Sequence, residues 1–326
     1  MTSAERILGW LRDASAPLSG EELARRLGCS RTAVWKHVAS LRRRGYVITA
    51  HHAQGYAIAG LPDRLGPAEL APHLTGSWRD VVWRSEIDST QRLARERARA
   101  GAAEGTVVIA EAQTSGRGRL GRTWHSPAGM NVYATIVLRP PRPPGVVPQL
   151  ALVAGLAVAD AVRSVTRADA RVKWPNDVLV GGRKIAGVLT EMEGEADRVR
   201  FVLVGIGVNV NADPATFPPE IAYSATSLRA VVGSPVDRAA LTGALLAAME
   251  ARYGRYLAGG FTAIRPAFDA VAFLTDREVR VSGSGMAVAG RVIGVDDEGA
   301  LRIACADGTE QRVIAGEVTL RDGRGG

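Results

Sequence analysis

The stretch Gly116-Arg117-Gly118-Arg119-Leu120-Gly121-Arg122-Thr123-Trp124 alternates glycine with arginine and closes on a tryptophan. Glycine admits left-handed backbone and close approach to a ligand. The guanidinium is a planar fork of donors suited to phosphate and carboxylate oxygens. The indole can stack on a flat base. Read alone, the run is either a loop that folds over an anionic nucleotide or a solvated basic loop, and short motifs match by chance.

Further segments bear on the choice. Lys173-Trp174-Pro175-Asn176-Asp177 leads through the apolar Val178-Leu179-Val180 into Gly182-Arg183-Lys184-Ile185-Ala186-Gly187. Gly205-Ile206-Gly207-Val208-Asn209 then alternates glycine with apolar residues, and glycine within a strand marks close approach to the backbone. Upstream, Ile87-Asp88-Ser89-Thr90-Gln91 is a helix-start signal of small polar side chains.

In this order the segments resemble the biotin protein ligases, and most closely the bifunctional kind that also represses the biotin operon. The resemblance spans nearly the whole chain and rests on the motifs jointly. It implies an α+β fold in three parts: a winged helix-turn-helix over 1–61, a mixed-sheet catalytic domain akin to class II aminoacyl-tRNA synthetases over 66–270, and an SH3-like barrel over 271–326. It also implies a two-step chemistry. Biotin's carboxylate attacks the α-phosphorus of ATP to give biotinyl-5′-adenylate, and a lysine of a biotin carboxyl carrier protein then displaces AMP. Carried over by motif, Lys184 and Arg119 are the catalytic cations. Ser89, Thr90, Gln91, Gln113, Arg117 and Gly118 join them around biotin, with the ureido group held by Ser89, Thr90 and Gln113. Arg119, Arg122, Trp124, Lys173, Asn176 and Asn209 lie on the nucleotide, with Trp124 on adenine. Asp177 is a candidate ligand for Mg²⁺ or a simple turn residue. Gly187, Gly205 and Gly207 admit an apolar ring against the strands. Gln91 departs from the family, which has asparagine there.

Residues 1–60 carry nine Lys and Arg against four Asp and Glu, so most of the net charge of +8 sits in this end. A basic end domain fits a polyanion partner. Ile7, Leu8 and Leu11 form one helix face, and Ser19 with Glu22 reads as a capping box opening a second helix. Ser30 caps a third helix over 31–43, whose Val34, Val38 and Leu41 turn inward. Two strands joined through Gln54-Gly55 complete the wing. The third helix is expected in the major groove of operator DNA, with Ser30, Arg31, Thr32, Trp35 and Lys36 toward it. Arg42, Arg43 and Arg44 suit phosphates. The alternative is a solvated basic face. His51 and His52 read as exposed, and 61–67 reads as a linker.

Strands are expected over 81–86, 107–113, 131–138, 184–191 and 201–210, and helices over 91–100, 148–165 and 238–256. Five short strands after residue 278, with turns at Ser284-Gly285, Glu298-Gly299 and Asp307-Gly308, indicate a small barrel free of reactive constellations. The tail 322–326 reads as frayed. Cys29 and Cys305 lie far apart, which argues for a reducing, cytoplasmic setting. The apolar run 151–162 is interrupted by Asp160 and is too short to span a bilayer. A homodimer is expected when liganded. Two other readings stand beside the ligase: a DNA-binding biotin sensor without catalysis, and a lipoate ligase.

Overall fold

A computed structural model describes all residues except 1, 52–54, 61, 196, 284–285 and 321–326. The expected turn at Gln54, His52, the turn at Ser284-Gly285 and the frayed tail therefore lie outside the described residues, wholly or in part. The chain divides into two compact units, Met1–Pro72 and His73–Gly326.

In the first unit, α1 (Ser3–Asp13), α2 (Gly20–Leu27) and α3 (Arg31–Arg43) precede the antiparallel pair β1 (Val47–His51) and β2 (Gly55–Gly60). Ile7, Leu11, Leu23, Val34, Val38 and Leu41 share one buried cluster, the inward residues that the 3.6-residue period selects. Ser19 caps α2 by accepting from the Glu22 amide, but the Glu22 carboxylate does not return to Ser19. It is drawn to Arg25 and Arg26 at 2.8 Å each. The reciprocal box stands instead at Thr2 and Glu5 of α1. Gly28, at φ 67°, ends α2 in the left-handed conformation that glycine adopts without penalty. The stretch read as a linker, 61–67, leads at its last residue into a short helix, α4 (Pro67–Leu70), with Leu65 and Leu70 fully buried and Tyr46 hydroxyl donating to the Glu69 carboxylate.

The second unit is built on a seven-stranded sheet: β3 (Val81–Arg84), β4 (Val107–Ala110), β5 (Val132–Leu138), β6 (Ala170–Lys173), β7 (Asp177–Val180), β8 (Arg183–Gly194) and β9 (Val199–Val208), in the order β3-β4-β5-β9-β8-β7-β6. Only β3 and β4 run parallel, so the sheet is mixed as expected. β6 has no counterpart in the sequence reading. Its four residues alternate buried and half-buried, too short a pattern to register beside a lysine and a tryptophan.

Helix α5 (Thr90–Arg99) lies on one sheet face, where Ala94 and Ala98 meet Val108, Val137, Phe201 and Leu203. Helix α6 (Val147–Thr166) packs against β6, β7 and β8 with α9 (Arg238–Gly259) along it; the short helices α7 (Pro219–Ala222) and α8 (Leu228–Val232) come between them in sequence. The length and apolarity of α6 would let it cross a membrane, but it is mostly buried inside the unit. Buried Leu150, Leu152 and Leu156 each contribute about 1.5–3 kcal/mol. The proline run at 140–144 is tied down where Arg142 donates to Leu257 O at 2.7 Å.

After α10 (Arg265–Asp269), β10 (Glu278–Gly283), β11 (Met286–Val295), β12 (Leu301–Ala304), β13 (Glu310–Val313) and β14 (Glu317–Leu320) form an antiparallel sheet in the order β13-β12-β11-β10-β14. This is the small SH3-like element expected at this end.

Candidate functional site: a cation-lined cavity

A cavity of about 620 Å³ opens on the sheet face beside α5. Strand parity decides what faces it. Gly205, Gly207 and Asn209 point one way and Val204, Ile206 and Val208 the other, because side chains alternate with period two. On β8 an extra residue at Ile185 shifts the register between Lys184 and Ala186, so Lys184 and Gly187 share the cavity face.

The run at 116–124 is a small hydrogen-bonded hairpin. Trp124 N donates to Gly116 O at 2.9 Å, Gly118 N donates to Arg122 O at 2.7 Å, and Leu120 turns the tip at φ 56°. A side chain at Gly116 would strike Trp124 O at 2.5 Å, which requires glycine there. Arg119 donates to Asn176 Oδ1 at 2.7 Å and to Gly316 O at 3.3 Å; burial lowers its proton affinity, opposed by nearby Asp177. Arg122 pairs with the Glu317 carboxylate of β14.

At the other end, Ser89 begins α5 without capping it through its side chain. The Thr90 amide and hydroxyl donate instead to Gln113 Oε1, at 2.9 and 3.1 Å, while Gln113 Nε2 donates to Ser126 Oγ at 3.1 Å. The bridge between Ile87 and Gln113 brings them together. Ser89 Oγ, Gln91 Oε1 and Trp124 Nε1 are buried without a hydrogen-bond partner, and all three residues line the cavity. Unpaired buried polar atoms are costly, so such a cluster fits a ligand with complementary donors and acceptors.

Lys184 Nζ stands 2.7 Å from Asp177 Oδ1 and 5.4 Å from the centroid of the Trp124 ring. The indole lies on the glycine strands: a Cβ at Gly207 would come 2.4 Å from Trp124 Cε2 and one at Gly187 2.9 Å from Cζ3. Gly205 instead meets the Gln91 amide. The space those two glycines leave is thus taken by a side chain of the chain itself. Asn209, whose Nδ2 donates to Thr226 O, and Lys173 also line the cavity. Trp174 packs: its indole donates to Gly299 O at 3.0 Å.

The cavity therefore gathers all the residues named from sequence for biotin and nucleotide, together with Asp177. Among the described residues no group of three His, Cys, Asp or Glu side chains could hold a metal by itself. His125 is half-buried, edge-on to Phe217 at 6.4 Å between ring centroids, and lines the cavity. Glu317, Phe217 and Ile221 of the wall, and Glu191, which bonds the lining residues Gln91 and Arg117 from beside the cavity, were not picked out from sequence. Glu191 was reachable by parity, two steps beyond Leu189 on the cavity face of β8; Glu317 had no local signal.

On the first unit, Ser30 caps α3 by accepting from the Ala33 amide. Arg31, Thr32, Trp35 and Lys36 are exposed along α3, Trp35 at 58%, which removes it from the core. Arg42 differs from the expectation. Its guanidinium donates twice to Ile48 O, at 2.9 and 2.6 Å, because the last turn of α3 sits over a β1 carbonyl that needs donors.

Three families match in succession: an HTH domain over residues 4–57, the Biotin/lipoate A/B protein ligase family over 83–211, and the Biotin protein ligase C terminal domain over 275–321. The Bifunctional ligase/repressor BirA of Bacillus subtilis (strain 168) is 39% identical over 93% of this chain and 94% of its own. The Biotin--[acetyl-CoA-carboxylase] ligase of Mycobacterium tuberculosis is 34% identical over 78% of this chain and 97% of its own. The solved biotin protein ligase from Aquifex aeolicus in complex with biotin and ATP superposes with a TM-score of 0.65 at 30% identity, covering 74% of this chain and 99% of that one. The chain belongs to the biotin protein ligase family, in its bifunctional ligase/repressor branch.

Proposed function

We propose that the chain is a biotin protein ligase that makes biotinyl-5′-adenylate from biotin and ATP, transfers biotin to a lysine of a biotin carboxyl carrier protein, and acts as a biotin-responsive repressor. The observation that carries the enzyme reading is the meeting, in one cavity, of an arginine hairpin, the Lys184 ammonium and three unpartnered buried polar atoms. The domain assignment is 1–61 for DNA binding, 66–270 for catalysis and 271–326 for the C-terminal sheet. Two free, widely separated cysteines support a cytoplasmic setting.

In the first step a carboxylate oxygen bonds to the α-phosphorus and the bond to pyrophosphate breaks. Two anions must approach, so the work is positioning and charge neutralisation. Lys184 holds the carboxylate and then the phosphoryl oxygen, with Asp177 keeping its ammonium in place. Arg117, Gly118 and Arg119 close over the ligand, while Arg122, Lys173, Asn176 and Asn209 hold the nucleotide and Trp124 stacks on adenine. Ser89, Thr90 and Gln113 take the ureido group, and Gln91 adds an acceptor. In the second step the acceptor lysine amine attacks the acyl carbon, AMP departs, and the amine loses a proton.

Mg²⁺ fits this donor set in one way. It demands six oxygens and often takes most of them from phosphate and water. Asp177 offers one carboxylate in the cavity, so the ion would ride chiefly on ATP, neutralising charge on the departing pyrophosphate. Substrate-dependent exchange of pyrophosphate into ATP tests the enzyme reading: biotin-dependent exchange supports it. Lipoate-dependent exchange, or none, replaces it with the lipoate ligase or the DNA-binding sensor.

Gly207→Ala is expected to push the Trp124 indole off the sheet and weaken ATP binding about tenfold or more, since base–aromatic stacking is worth about 1–3 kcal/mol. Calorimetric titration of an α,β-methylene ATP analogue, whose α-phosphorus cannot lose pyrophosphate, into the biotin-loaded variant measures this; unchanged affinity removes Trp124 from the nucleotide.

On the first unit, the exposed face of α3 with Arg31, Thr32, Trp35 and Lys36, opened by Ser30, is assigned to operator DNA, bound by a homodimer. Arg43→Ala is expected to lower the slope of log affinity against log salt by about one on duplex DNA. Fluorescence anisotropy across a salt series reads that slope.

A further inference from the structure

We propose that Glu191 is a positioning residue that couples the arginine hairpin to the amide at position 91, within the ligand site just assigned. Its carboxylate is 19% exposed and takes three donors. Arg117 Nη2 lies 3.0 Å from Oε1. Arg95 Nη2 lies 3.1 Å from Oε2, and Gln91 Nε2 donates to that same oxygen at 3.1 Å. Arg117 belongs to the hairpin and the other two to α5, so one carboxylate on β8 ties the hairpin to the helix.

The tie sets the chemistry at position 91. Gln91 Nε2 also donates to Leu189 O at 3.3 Å. Both neighbours of that nitrogen are acceptors only, so the amide cannot reverse without setting oxygen against oxygen. Gln91 Oε1 is thereby held at the cavity wall over Gly205, buried and without a partner. It is a fixed acceptor, and the ligand group it suits is an N–H, of which a cyclic urea has two. The longer side chain at this position is accommodated because Glu191 receives its amino end.

The same carboxylate holds Arg117, whose side chain is 48% exposed, down on the sheet. Glu191→Gln would present an amide to two guanidinium groups and to the Gln91 amino group, loosening all three contacts at once.

The test uses the full chain. Adenylate is formed from biotin and ATP, chased, and its loss followed. In parallel, tryptic cleavage after Arg117, Arg119 and Arg122 is timed on the unliganded protein. Glu191→Gln is expected to lose adenylate about tenfold faster than wild type and to be cut faster in the hairpin, at an unchanged melting midpoint, because a hydrogen bond to a charged group is of that order. Glu191→Asp, which keeps the charge, is expected to recover part of the retention. Retention and cleavage equal to wild type in Glu191→Gln overturn the proposal, as does a loss that tracks a lowered midpoint or one that aspartate fails to relieve. If wild type forms no adenylate from biotin, the ligase reading falls, and the cleavage comparison still decides the role of Glu191.

Discussion

Lys184→Ala is expected to slow adenylate formation by about 100–1000-fold, the range for removing one preorganised charge from a developing anion, while the melting midpoint stays within about 2 °C of wild type, as for substitutions away from a core. Lys184 is the ammonium that Asp177 holds at 2.7 Å, beside the Trp124 ring. Its burial is partial, so its removal opens no large apolar void. Arg119→Ala should fall in the same direction by less, since Arg119 already spends its guanidinium on Asn176 Oδ1 and Gly316 O. A single-turnover quench experiment with labelled ATP measures both. Wild-type rates in Lys184→Ala would remove this side chain from the chemistry.

Arg238→Met is expected to destabilise the second unit by about 3–5 kcal/mol. Arg238 is fully buried at the start of α9, and its Nη1 lies 3.0 Å from both Glu111 Oε2 and Asn131 O. Methionine has a similar volume, so the loss comes chiefly from leaving a buried carboxylate without its cation. Adding Glu111→Gln to Arg238→Met should therefore return part of the stability. Urea denaturation of the single and double variants gives the difference; a double variant no better than the single would show that packing, not charge, is the larger part.

Several parts of this architecture were open to reading from the chain alone, for identifiable reasons. The winged helix was legible because its second and third helices carry cap residues at Ser19 and Ser30 and all three an inward apolar face, as at Val34, Val38 and Leu41. The cavity residues were legible where glycine or arginine is locally unusual, as in the hairpin and at Gly205 and Gly207. What failed had physical causes. The Ser19–Glu22 box failed because two arginines one turn on compete for the same carboxylate. Arg42 failed because its partner, Ile48 O, exists only once β1 has folded back. The β14 contribution to the cavity was hidden because it comes from so far along the chain: Arg119 and Gly316, the residue just before β14, are 197 positions apart. The role of the glycines was half seen: room beside the strands is there, and Trp124 from the same chain fills part of it.

The cavity is walled by residues from Ser89 to Leu320, and its mouth is fastened by Arg122 to Glu317 on the last strand described. A chain still leaving the ribosome can complete the DNA-binding head early and the central sheet later, since segments fold in the order they emerge. It cannot enclose a reactive mixed anhydride until β14 has been released. Synthesis that halts short of residue 317 thus leaves a protein able to meet DNA but unable to imprison the intermediate, so activity itself reports that translation has passed this strand.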